Sequence, residues 1–272
     1  MDSNIAPFPQ NFNKVTLITG GSKGIGEGCA RVFVRAGARV VICARGREAG
    51  EALAADLTAT GLGECHFEPC DVSQPEQIQR VIDKTIECYG RLDCLINNAG
   101  WHPPHKPIDE FSIEEFKDLL QLNLVSYFAA CKFALPYLRQ TRGNIINMSS
   151  VVGNTGQWWA TTYCATKGGI TAFTKALAIE EAQNGVRVNT VLPGNIITQS
   201  RLDFEAKMEN SQAFHEYVES WQWLGRSGTI EEAGYTCLFL ASDAASFITG
   251  IELVLTGGIE LGQGPKGPIL QS

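Results

Sequence analysis

Short runs of apolar and β-branched residues alternate along the chain with longer stretches whose apolar residues recur at the spacing of one helix face. The runs predict strands at Val15–Thr19, Arg39–Cys43, His66–Pro69, Cys94–Asn97, Asn144–Met148, Val186–Leu192 and Glu252–Leu255. The stretches between them predict helices over 25–36, 47–59, 75–89, 112–139, 162–184 and 230–241. Most strand runs are almost continuously apolar, the pattern of strands buried on both faces of a parallel sheet. The alternation predicts an α/β doubly wound fold of Rossmann type, with about seven parallel strands and helices on both faces. There is one alternation, no repeat and no low-complexity linker, so 1–272 reads as a single domain. Its core spans 14–258, and a tail at 259–272 has neither helical nor strand pattern. The interval 196–228 holds no strand and ends where Thr229 can cap the next helix; a gap of that length is usually functional.

Composition narrows the classes. The 272 residues carry 22 basic and 29 acidic side chains, a net charge of −7, with 44% hydrophobic and 19% charged residues. That is enough apolar material for a large core and excludes a disordered chain. The acidic balance argues against nucleic acid as a partner, because phosphate backbones need a basic face. The first 14 residues have neither the basic nor the apolar region of a secretory signal, and no apolar run approaches the ~18 residues of a membrane span. The nine cysteines are scattered and form no CxxC pair, so neither a disulfide framework nor a zinc site is expected. The reduced cytoplasm is the expected location.

The first chemistry lies after the first strand, in Thr19-Gly20-Gly21-Ser22-Lys23-Gly24-Ile25-Gly26. Glycines at 20, 24 and 26 permit a tight turn and a close backbone approach, and the helix that follows offers free N–H groups to a pyrophosphate. The spacing is GxxxGxG, neither the commoner dinucleotide fingerprint nor a P-loop. The alternative is a glycine turn without a ligand.

The second lies in a predicted helix, where Tyr163 and Lys167 stand four residues apart and share a face. A phenol with its ordinary pKa of about 10 is a poor acid or base near neutrality. An ammonium one turn away favours the phenolate and is expected to bring it into range. Ser150, at the carboxyl end of a buried strand, offers a hydroxyl to a carbonyl or alkoxide oxygen. Asn123 sits mid-helix, where asparagine is disfavoured and needs a reason.

These motifs, in this order, resemble the classical short-chain dehydrogenases/reductases over about residues 14–258. The resemblance rests on TGGSKGIG at 19–26, Asp71-Val72, Asn97-Asn98-Ala99-Gly100, Asn123, Ser150, Tyr163-x-x-x-Lys167, Pro193-Gly194 with Thr198, and Thr256-Gly257-Gly258. It implies a hydride transfer between a nicotinamide cofactor and a secondary alcohol or ketone, with Asn123, Ser150, Tyr163 and Lys167 as the catalytic tetrad. Tyr163 would be the general acid/base and Ser150 would hold the substrate oxygen. Lys167 would bind the nicotinamide ribose and lower the tyrosine pKa, and Asn123 would hold a proton-relay water. Cofactor contacts would come from Gly20, Ser22, Lys23, Gly24, Ile25 and Gly26, from Asp71 and Val72 at the adenine and from Asn98 near the adenosine ribose. Tyr163 and Lys167 would add theirs, with Ile196 and Thr198 at the nicotinamide amide. A narrower resemblance, carried by NNAGWHPPHKPIDEFS, Ser150 to Gln157 and TGGIELGQG at 256–264, is to the type 14 group of 17-beta-hydroxysteroid dehydrogenases, also linked to L-fucose oxidation. Trp158 and Trp159 depart from that group. A sugar or other small-alcohol dehydrogenase is the alternative reading, and a non-catalytic nucleotide-binding scaffold the second alternative.

An acid at the end of the second strand would bind the adenosine 2′-hydroxyl and repel a 2′-phosphate. The chain has Ala44 there, then Arg45-Gly46-Arg47, and Lys23 lies in the glycine turn. This favours NADP(H), with Lys23 and Arg45 as a clamp on phosphate; NAD(H) remains possible if these are only solvated charges. On the substrate side, His102, Ser150, Gln157, Trp158 and Tyr163 are the candidate binding residues for a hydrophobic alcohol or ketone. Phe204, Met208, Phe214, Tyr217, Trp221 and Trp223 form either the inner face of a lid or a packing surface. His102 and His105 lack a third ligand, so no metal is expected. The resemblance also implies a homotetramer that packs helices 112–139 and 162–184 and pairs the segments around Glu252–Gly258.

Overall fold

The computed structural model describes residues 13–60 and 62–262. Seven strands form one all-parallel sheet: β1 (Val15–Thr19), β2 (Arg39–Ala44), β3 (Glu64–Pro69), β4 (Cys94–Asn97), β5 (Asn144–Met148), β6 (Arg187–Pro193) and β7 (Glu252–Leu255). Their spatial order is β3-β2-β1-β4-β5-β6-β7. The chain moves outward from β1 to β3, then returns to the other side of β1 with β4. The switch point therefore lies between β1 and β4, and the crevice at their carboxyl ends is where such sheets bind ligands. Among the described residues, ten α-helices connect the strands: α1 (Gly24–Arg35), α2 (Arg47–Thr58), α3 (Pro75–Tyr89), α4 (Ile113–Leu120), α5 (Ser126–Thr141), α6 (Val152–Thr155), α7 (Thr161–Glu181), α8 (Gln199–Glu205), α9 (Ser211–Glu219) and α10 (Ile230–Ala241).

Side-chain alternation in the central strands divides the core in two. Ile18, Val40 and Ile42 pack with Cys29, Phe33 and Leu238 of α1 and α10. Leu17, Val41 and Cys43 point the other way, against Ile78, Ala134 and Leu177 of α3, α5 and α7. Both faces are dry, which is why the strands read as continuous apolar runs.

Two local features differ from the sequence expectation, and a third adds to it. The single helix expected over 112–139 is interrupted by a π-helical turn at Gln121–Val125, with α4 before it and α5 after it. Asn123 lies in that turn and is completely buried. Ser150 does not end its strand: β5 stops at Met148, and Ser150 lies two residues further, in the loop before α6. The strandless interval 196–228 contains α8 and α9 and is closed by an isolated bridge between Ile196 and Gly228. The helical run 113–141 is long and apolar enough to cross a membrane, but half of its most apolar window is buried within the protein. All nine cysteines are free thiols, and among the described residues no cluster of three or more His, Cys, Asp or Glu could hold a metal. Tail residues 263–272 and the N-terminal segment 1–12 lie outside the described residues.

Candidate active site

The glycine turn starts at the carboxyl end of β1. Gly20 and Gly24 have φ of +65° and +58°, in the left-handed region that a side chain disfavours. A Cβ on Gly26 would come within 2.2 Å of the Gly20 carbonyl oxygen, so only glycine lets α1 begin this close to the turn. Lys23 occupies the N-cap of α1 but its side chain makes no capping bond, so the first N–H groups of the helix stay available to an anion. Asn98 serves the turn from β4's side: its Nδ2 donates to the carbonyls of Thr19 and Gly20 at 3.0 and 3.1 Å. The Thr19 hydroxyl accepts from the backbone N–H of Asn98 and Ala99 at 3.0 and 3.1 Å. Asn98 is thus built into the cradle, with both amide hydrogens already donated.

The other expected cofactor residues line the same end of the sheet. β2 ends at Ala44, followed by exposed Arg45. Exposed Arg47 pairs with Glu51 at 2.9 Å. Asp71 follows β3; its carboxylate accepts from the N–H of Ser73 at 3.0 Å, and Val72 beside it is buried. Across the cleft, Thr198 caps α8, and a Cβ on Gly24 would lie 3.4 Å from its methyl carbon, so the turn and Thr198 face one another. Ile196 is buried beneath them in its bridge to Gly228. A narrow cleft with open helix N–H groups, a close-approach glycine turn and an uncapped Lys23 fits a dinucleotide pyrophosphate.

The four tetrad positions come together from different elements. Tyr163 and Lys167 project from α7, Ser150 comes from the loop after β5, and Asn123 from the π turn. The Asn123 side chain holds the backbone of Trp101 from both sides, accepting from its N–H and donating to its carbonyl, each at 2.9 Å. It also donates to the Thr166 hydroxyl at 3.2 Å. Both of its amide hydrogens are therefore occupied, and only Oδ1 has capacity left for a relay water. The buried Lys167 ammonium donates to the Met148 carbonyl at 2.9 Å, and the Tyr127 hydroxyl reaches the same oxygen at 3.2 Å.

Burial, not the lysine, dominates the tyrosine. It pushes the Tyr163 phenol up to about 12, against the opposing hydrogen bond with the Ser150 hydroxyl. Burial likewise pulls Lys167 down to about 7, so part of its charge is lost at neutrality. Lys167 Nζ lies 5.6 Å from the Tyr163 ring centroid. Desolvation thus outweighs any lowering of the phenol by Lys167, whose charge is itself desolvated.

On the substrate side, the His102 ring lies 4.2 Å from the Tyr163 ring, and its Nε2 is 3.1 Å from Gln157 Oε1. His102 and Gln157 therefore form one polar group beside the tyrosine ring. Trp158 stacks on Trp159 with centroids 3.8 Å apart, and Trp158 is 74% exposed. The aromatic residues of 199–224 pair among themselves, Phe204 with Phe214 and Tyr217 with Trp221, and stay substantially exposed. They do not form a closed apolar inner face. An apolar cavity of about 280 Å³ lies between the 101–106 segment and α4, lined by Trp101, Phe111, Leu119 and Leu122.

Several supporting residues escaped the sequence reading. Thr19, Tyr127 and Thr166 hold the turn, the Met148 carbonyl and Asn123 in place, and their roles depend on contacts between distant segments. Gly100 carried a readable signal, lying in the NNAG motif: a Cβ there would come 3.3 Å from Asn123 Oδ1 and 3.7 Å from Lys167 Nζ.

Comparison with known proteins places this architecture. Residues 20–260 match the family model described as enoyl-(acyl carrier protein) reductase, a short-chain alcohol dehydrogenase model. L-fucose dehydrogenase of Oryctolagus cuniculus is 46% identical over 93% of this chain and 87% of its own length. Meso-2,3-butanediol dehydrogenase of Serratia marcescens is 36% identical over 93% of this chain and 98% of its own length. The crystal structure of Cj0485 dehydrogenase superposes with a TM-score of 0.85 at 32% identity, covering 91% of this chain and 94% of that one. Proteins of this kind use NAD(H) or NADP(H) as the hydride carrier. The chain belongs to the classical short-chain dehydrogenase/reductase family, and is an oxidoreductase acting on CH–OH groups.

Proposed function

We propose that the protein oxidises a CH–OH group of a small polyhydroxylated substrate, a sugar of the L-fucose kind, and reduces the corresponding carbonyl in reverse. The observation that carries this reading is the identity of 46% to proteins named L-fucose dehydrogenase in rabbit, cattle, mouse and rat. The His102–Gln157 pair beside Tyr163 supports it, since a polyol needs donors and acceptors around the reacting carbon. The exposed Trp158–Trp159 stack offers a flat surface to a sugar ring. The hydroxysteroid reading gains no support from these relatives, and the open aromatic segment 199–224 offers no closed apolar slot for a steroid.

In this reading Ser150 holds the substrate oxygen, Tyr163 moves the proton at that oxygen, and Lys167 and Asn123 position the tyrosine and the Trp101 loop. The bound nicotinamide supplies the hydride acceptor or donor. The scaffold alternative loses ground because it would not need four acid–base positions converging on one cleft. We assign NADP(H) as the favoured cofactor, on the missing carboxylate at Ala44 and the exposed Arg45 beside it, with NAD(H) as competitor. A homotetramer in the cytoplasm completes the proposal, with exposed Phe128 of α5 and Ile179 of α7 available to an interface.

The test is a panel of hexoses including L-fucose, short diols and 17-hydroxysteroids, each with NAD and with NADP, followed by nicotinamide absorbance. The highest kcat/KM is expected for a sugar. A steroid turned over more efficiently than every sugar overturns the reading, and no turnover of any alcohol or ketone returns the scaffold.

A further inference from the structure

The end of the sheet opposite the catalytic cleft holds a second cavity, of about 400 Å³, at the amino ends of β1, β4, β5 and β6. Four bases, Lys14, Arg91, Arg142 and Arg187, and two acids, Asp93 and Asp243, line it. Two of the bases are neutralised locally. Lys14 pairs with Asp243 at 2.9 Å, and Arg91 meets both oxygens of Asp93 at 2.9 and 2.6 Å. The other two are not. The exposed Arg142 side chain makes no hydrogen bond or ion pair among the described residues. The Arg187 guanidinium donates to the carbonyls of Ile248 and Ser242, at 3.4 and 3.3 Å, and the acid acting on it is Asp243, which Lys14 already holds. With four bases against two acids, the recess is net positive in a chain of net charge −7.

The backbone holds one of them there. Arg142 caps α5 in the left-handed conformation, with φ +50°. A Cβ on Gly185 would come within 3.3 Å of the Arg142 side chain, so glycine at 185 makes room for it. Two forked cations in one recess call for a ligand carrying several negative oxygens.

We propose that this cavity binds a small phosphate-bearing anion, hydrogenphosphate or a phosphate monoester, through Arg142 and Arg187. It is separated from the pyrophosphate cradle by the length of the strands, so occupancy of the two sites is independent in composition.

Calorimetric titration tests it, with inorganic phosphate and with glycerol 3-phosphate, on enzyme saturated with NADH or NADPH so that the cleft cannot take the probe. Saturable binding of at least one probe is expected, and the tighter of the two tells free phosphate from an ester. Arg142→Asn keeps a residue tolerant of positive φ and removes the charge; binding should weaken roughly tenfold. Phosphate should raise the melting temperature of the parent and not of this variant. No saturable binding of either probe, or equal affinity in Arg142→Asn, overturns the proposal.

Discussion

At the residue scale, the chemistry turns on two buried titratable groups whose environments act in opposite directions. Tyr163 is pushed up to about 12 and Lys167 down to about 7. In the proposed reaction, Tyr163→Phe removes the proton that moves at the substrate oxygen. Turnover should fall by at least ~10³-fold while dinucleotide affinity, measured by fluorescence titration, changes little. Substantial residual turnover would assign the proton to another group. Lys167 leads to a stability prediction. Between pH 7 and its ordinary 10.5 the unfolded chain holds a proton that the folded chain has released. Stability of the dinucleotide-free protein therefore rises with pH across that window. Lys167→Met should melt higher than the parent at pH 7, by a few kcal/mol in stability, and the advantage should shrink as pH rises toward 10. The same variant should lose turnover. A gap that widened with pH would contradict the assignment.

At the element scale, close approaches between backbones position the site. α1 can begin under the Gly20 carbonyl only because residue 26 has no side chain. Further along the same helix, a Cβ on Gly28 would come within 2.1 Å of the Ile230 carbonyl oxygen in α10, and one on Gly234 within 2.5 Å of the Gly28 carbonyl oxygen. The pair lets α1 and α10 cross in backbone contact. Gly26→Ala meets rigid backbone on one side and the Asn98 amide on the other. It should destabilise the fold by roughly 2 kcal/mol or more and abolish dinucleotide binding, read by denaturant unfolding and by titration. Wild-type affinity in that variant would show that the turn can relax, which its contacts with Gly20 and Asn98 argue against. The π turn at 121–125 is the second such device, because it delivers Asn123 to the Trp101 backbone from inside a long helical run. Such turns recur at functional sites.

At the scale of the whole molecule, net charge says little about anion binding. A chain of net −7 presents open helix N–H groups at one end of its sheet and a net-positive recess at the other. Ala44→Asp tests how local the field is. It changes the net charge only from −7 to −8, yet it puts a carboxylate where an adenosine 2′-phosphate would lie. The ratio of kcat/KM for NADP to that for NAD should fall at least ~10-fold. An unchanged ratio would remove the 2′-phosphate from the neighbourhood of β2.

How much of this was legible beforehand follows from what sequence patterns encode. Apolar and β-branched runs made β1, β4, β5 and β7 readable to the residue, the last although it is a half-buried edge strand; α1, α2, α3, α7 and α10 were readable to within a few, but α6, α8 and α9 were not. The glycine turn and the Tyr163–Lys167 pair are local, fixed by spacing along one strand–turn–helix and one helix face. By itself, the sequence therefore determined the fold class and the family. Tertiary structure decided what depends on distant segments meeting. The protonation balance of Tyr163 follows from burial that no spacing reports, and Asn98 and Asn123 spend their amide hydrogens on carbonyls and a hydroxyl from other elements. Arg142 and Arg187 read as ordinary surface charges until the amino ends of four strands bring them into one recess. Local pattern specifies which groups are present; their charge state and their partners are set by desolvation and by the neighbours the fold supplies.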